Sequence, residues 1–82
     1  MQDLPLTPTE CRGARAMLRW KQEDLAARAR VSRPVVVDFE RETRTPQAKN
    51  LEDFRRVMEE AGIEWCEGGW IRLRPEEEDT DG

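Results

Sequence analysis

Two periods of apolar spacing divide the chain. Cys11, Ala14 and Leu18, with Arg15 among them, fall at i, i+3, i+4 and i+7 and trace one stripe of a helix. Thr7-Pro8-Thr9-Glu10 before them matches a capping box with proline at the first helical position, where a missing N–H costs nothing. A first helix is therefore expected from Pro8, with Trp20 as a core anchor at its close and residues 1–6 as a flexible arm. Gln22 to Ala29 predicts a second helix, with Leu25, Ala26 and Ala29 on one face and the acids Glu23 and Asp24 in its first turn, where the helix dipole favours them.

A tight connection through Arg30 and Val31 leads to Ser32, a good N-cap, and Pro34 is tolerated in a first turn. A third helix is thus expected from about Arg33, with Val36 and Phe39 inward and Arg33, Val37, Asp38 and Arg41 on other sides. Taken alone, Val35-Val36-Val37 favours a strand, but the serine before it and Phe39-Glu40 after it favour helix. Glu42 to Arg44 read as a polar loop. Thr45-Pro46 then opens a helix whose apolar positions Leu51, Phe54, Val57, Met58 and Ala61 keep helical spacing to Gly62, with Asn50 placed to cap a break within it. Beyond it, Ile63 to Cys66 and Trp70 to Arg74 predict two short strands around Glu67-Gly68-Gly69.

The expected fold is mainly α: a four- or five-helix body over residues 7–62, a β-hairpin over 63–74 and a disordered acidic tail over 75–82. A lone hairpin is marginal in water, so this one must fold onto its own helices or pair with a second copy. Trp65, Trp70, Ile71 and Leu73 supply apolar surface for either, which makes them candidate dimerisation residues.

With 82 residues, 37% of them hydrophobic and 39% charged, the chain can bury a thin core in one domain. Repeats and internal linkers are missing from the sequence, and so is any apolar run near the ~18 residues of a spanning helix or a secretory signal. A cytoplasmic protein is expected. Cys11 and Cys66 have no metal-ligand spacing and no histidine to assist them, so both read as small buried fillers. Without a histidine, a nucleophile beside a base, a metal-ligand cluster or a glycine-rich phosphate loop, the sequence points away from catalysis and calls for no cofactor or metal.

The formal net charge of -4 looks wrong for a chain that must displace counterions from nucleic-acid phosphates. Its distribution changes that picture. Residues 76–82 carry Glu76, Glu77, Glu78, Asp79 and Asp81 with no base, either a solvated end or a competitor for a basic surface. Within residues 12–49, ten bases face five acids, a local excess of +5.

A short helix, a tight turn and a second helix can hold the second helix rigidly while the first braces it across a DNA backbone. Close approach needs a small residue in the first, here Ala26, met by Val31, Val36 and Phe39. Gln22 at the start of the first can place its amide and the helix N-terminal N–H groups on a phosphate.

Gln22-Glu23-Asp24-Leu25-Ala26, Val31-Ser32-Arg33, and Phe39-Glu40-Arg41 followed by Thr45-Pro46 resemble the Cro and phage-repressor type of helix-turn-helix regulator, the XRE family, over roughly residues 10–61. The resemblance implies a lambda-repressor-like domain binding double-stranded DNA as a homodimer on a palindromic operator, usually to repress transcription. It implies a phosphate contact by Gln22, base contacts from Arg33, Pro34, Val37 and Asp38 with Ser32 and Val35 beside them, and backbone contacts around Arg41 and Arg44. Arg15 on the first helix is implied to pair with Glu40 at the end of the third, the rival reading being a phosphate contact. Arg33 could bond guanine O6 and N7 bidentately or sit on phosphate or in solvent. In this family glycine is frequent where the chain has Arg30 and Glu42; a left-handed backbone at Arg30 would cost ~1 kcal/mol. The alternative function is an antitoxin or anti-repressor that works through a protein partner.

Overall fold

In a computed structural model of the chain, which describes residues 6–75, four helices are followed by a two-stranded hairpin. Helix α1 (Pro8–Leu18) opens on the expected capping box: Thr7 Oγ1 accepts from the Glu10 N–H at 3.1 Å, and Glu10 Oε1 accepts from the Thr7 N–H at 3.0 Å. Arg19 ends it in the left-handed region, φ 60°, where the Trp20 N–H reaches back to the Arg15 carbonyl. Helix α2 (Gln22–Ala29) begins as Asp24 accepts from the Lys21 N–H at 2.8 Å, and it ends on Arg30, also left-handed at φ 62°. Helix α3 (Arg33–Glu40) contains the whole valine run, so the neighbours decide its conformation over local β-propensity. Ser32 stands at its N-cap with extended backbone, but its hydroxyl makes no capping hydrogen bond.

Helix α4 (Ala48–Glu60) departs from the expected boundaries. It starts two residues after Pro46, because Gln47 remains extended at φ -61°, ψ 152°. Asn50 lies in its first turn and interrupts nothing, so the body has four helices, not five. Ala61, expected on the apolar face, caps the helix and is exposed.

Among the described residues, thirteen apolar ones form one core, drawn from every helix, the first strand and Leu6 ahead of α1. Leu25, Val36 and Phe54 are fully enclosed, and the Phe39 and Phe54 rings meet at a centroid distance of 6.1 Å. Leu6, expected as the last residue of a flexible arm, is instead a core residue beside α1; residues 1–5 lie outside the described residues. Trp20 is half-buried against the core beneath the Arg28 guanidinium, 4.4 Å from the ring centroid.

Strands β1 (Ile63–Trp65) and β2 (Ile71–Leu73) pair antiparallel with Ile63 opposite Leu73, Glu64 opposite Arg72 and Trp65 opposite Ile71. Alternation puts the apolar four on one face, while Glu64 and Arg72 pair on the other at 2.9 Å. The apolar face covers α1 and α4. Ile63 is buried, Ile71 reaches so near Gly13 that a Cβ there would stand 3.3 Å from its Cδ1, and Arg55 lies over Trp65 at 5.1 Å. Within the single chain the hairpin folds onto its own helices. The expected acidic tail, apart from Pro75, falls on residues 76–82, outside the described residues.

Candidate nucleic-acid interface

Helices α2 and α3 pack directly on each other, and Ala26 from α2 and Val36 and Phe39 from α3 are all buried in the shared core. Their turn closes with the Val31 N–H on the Ala26 carbonyl at 3.0 Å and Val31 tucked against the core. The start of α3 then projects: Ser32, Arg33 and Pro34 are all exposed. Val37 and Asp38 are half-buried one turn on, and Val35, also half-buried, packs against the core. Arg41 and Arg44 stand exposed on the loop leaving α3, which turns through Glu42 at φ 65° and is tied by the Thr43 N–H and hydroxyl to the Asp38 carbonyl. Among the described residues, no hydrogen bond or ion pair joins the Asp38 side chain to Arg41. Arg33 Nε lies 3.9 Å from Glu23 Oε1, with both side chains more than half exposed, so water screens the pair and the guanidinium can leave it at little cost.

The far end of α3 is fixed much more tightly. Glu40 is 5% exposed, and its carboxylate accepts from Arg15 Nη2 at 2.8 Å, Arg15 Nε at 2.9 Å, Gln22 Nε2 at 3.1 Å and the Cys11 thiol at 3.1 Å. Arg15 also donates to the Trp20 carbonyl at 2.9 Å, and Arg12 donates to the Glu40 carbonyl. Burial alone pushes the Glu40 carboxyl up, but the donors from Arg15, Cys11 and Gln22 outweigh it and hold its pKa below the ordinary value. The hydrogen bonds to Glu40 raise Arg15 in turn, while burial foremost, then Glu40, pushes the Cys11 thiol far up and keeps it protonated.

The structure therefore places Arg15 and Glu40 together between α1 and α3, with Arg15 inward. Cys66, expected as a buried filler, is exposed beside the hairpin turn; only Cys11 is buried. Residue spacing gave no signal for Arg12, Cys11 or Gln22 at Glu40, because those contacts join positions 18 to 29 residues apart. The candidate dimerisation residues separate into two groups. Trp65 and Ile71 lie on the chain's own helices, while Trp70 is 73% and Leu73 43% exposed.

Two short helices joined by a tight turn, with the second presenting its first turn to solvent beside a locally basic surface, define a helix-turn-helix DNA-binding domain. A family model described as Helix-turn-helix matches residues 12–63, more than half of the chain. The chain belongs to the XRE-type helix-turn-helix family of DNA-binding regulators. Its hairpin lies almost wholly outside the matched stretch. No curated protein matches the chain. Among the described residues, no helix is long and apolar enough to cross a membrane.

Proposed function

We propose that the protein is a sequence-specific repressor that binds a palindromic operator as a homodimer in the cytoplasm, on the nucleoid, with α3 in the major groove. The observation that carries this reading is the asymmetry of α3, whose first turn is open around Arg33 while its last residue is locked to α1 and α2. A helix so held meets base edges without first being ordered, and Arg33 is the reader, bidentate on guanine. Ser32, Pro34, Val37 and Asp38 line the same approach, with Val35 at its margin. Gln22, Arg41 and Arg44 take phosphates on either side.

One module of this size binds weakly, and two copies would present their recognition helices about one DNA turn, ~34 Å, apart. Trp70 and Leu73 support pairing because they remain exposed after the hairpin has covered its own helices. An antitoxin or anti-repressor would use the same surface on a different protein, and stoichiometric co-purification of such a partner would favour that role. Selection of bound duplexes from a random pool at fixed, near-physiological salt tests the main reading. An inverted repeat is expected; a pool that shows no enrichment overturns it.

A further inference from the structure

Gln22 and Glu40 meet across 18 residues of sequence, and the contact fixes more than the packing of two helices. An ionised carboxylate only accepts, so the Gln22 atom facing it at 3.1 Å is the amide nitrogen, and the side-chain orientation is determined. Glu40 Oε1 takes Arg15 Nη2 and Gln22 Nε2, and Oε2 takes Arg15 Nε and the Cys11 thiol, which fills the four acceptor directions of the carboxylate. Gln22 retains one side-chain N–H. It is also the first residue of α2, where the Asp24 N–H turns back to the Lys21 carbonyl at 3.0 Å and the backbone N–H groups of Gln22 and Glu23 have no acceptor in the helix.

We infer that Glu40 is a positioning residue for DNA binding: it holds the Gln22 amide so that its second N–H joins the start of α2 in gripping one backbone phosphate. This rests on the DNA-binding reading above. A bare carboxylate beneath a phosphate would repel it, and the Arg15 fork removes that objection by making the pair neutral. The Arg15–Glu40 bridge thus serves the contact as well as the fold. Without the Glu40 acceptor, Gln22 is a half-exposed side chain with several rotamers, and ordering it on a phosphate costs entropy that the present arrangement has already met.

Phosphate contacts are independent of sequence, so a random-sequence duplex serves as the probe, read by fluorescence anisotropy with the full chain at a temperature where every variant is folded. Gln22→Ala is expected to weaken binding about tenfold, as loss of one charge-assisted hydrogen bond should. Glu40→Gln is expected to do the same, because only one oxygen remains and the charged Arg15 fork, which used both, competes with the Gln22 amide for it. The double variant is expected to bind no more weakly than either single one, since both remove one contact. If Glu40→Gln fails to fold, the wild-type protein still decides by amide-proton exchange: one Gln22 Nε2 proton is expected to be protected and the other to shift on addition of duplex. Equal exchange of both at the rate of exposed Gln47 overturns the inference, as does full additivity of the two substitutions or unchanged binding by Gln22→Ala. In those cases duplex binding by the wild type leaves the DNA-binding reading intact. A wild type that binds no duplex overturns both.

Discussion

Glu40 keeps its negative charge in the interior because every acceptor direction is filled, and this makes its contribution to folding dependent on pH. Its native pKa lies below the ordinary 4.5, so the stabilisation is complete above about pH 4.5 and is lost as pH falls through the native value. Chemical denaturation as a function of pH is expected to show that loss, and Glu40→Gln to reduce it. Arg15→Ala leaves the carboxylate buried and underpaired; with Arg15 itself one-fifth exposed, the cost falls at the low end for such pairs, about 3 kcal/mol. An unchanged denaturation midpoint combined with weaker DNA binding would move Arg15 to the DNA surface. The two cysteines separate as cleanly. Cys66 is expected to react at once with a thiol reagent and Cys11 only on unfolding, since it is enclosed and its pKa is raised. At this scale little was legible in advance. The inward stripe position of Arg15 could be read, but nothing in the spacing of Cys11 and Cys66 distinguishes a residue inside a helix contact from one beside a hairpin turn.

Among the described residues, three helix or loop ends turn through left-handed residues that are not glycine: Arg19, Arg30 and Glu42. Each is exposed, so the strain exchanges for no packing, and Arg30→Gly is expected to stabilise the fold by about 0.5–1 kcal/mol and raise Tm by a few degrees. A lower Tm would mean that the arginine side chain makes contacts worth more than its backbone strain. Apolar period located the four helices and the hairpin, because each buries one face and spacing reports that face directly. Boundaries without a side-chain signal were harder. At the head of α4 the extended chain persists through Gln47, where no Ser, Thr, Asp or Asn announces the cap, and at Arg19 no glycine marks the left-handed exit. Whether the hairpin would meet its own helices could not be read either, since that depends on Gly13 leaving room for Ile71.

For the molecule as a whole, the global charge of -4 and the local excess of +5 over residues 12–49 act at different ranges. Within a Debye length, about 8 Å at physiological salt, phosphates near α2 and α3 respond mainly to the local surplus. DNA binding is therefore expected to fall steeply as salt rises, and Arg33→Ala to weaken a selected site more than a random duplex; equal loss on both would make Arg33 a phosphate contact. Trp70→Ala touches a side chain 73% exposed and is expected to change stability by less than about 0.5 kcal/mol while shifting sedimentation toward the monomer. An unaltered sedimentation profile would remove the hairpin from any dimer.

The saturated carboxylate of Glu40 also constrains how such a chain can diverge. Cys11, Arg15 and Gln22 come from two other helices and share one acceptor, so a change at any of them leaves an acceptor direction or the charge of Glu40 uncompensated within the body of the protein. Across related sequences the four positions are expected to be inherited as a unit and replaced together, Glu40 changing only where Arg15 changes with it.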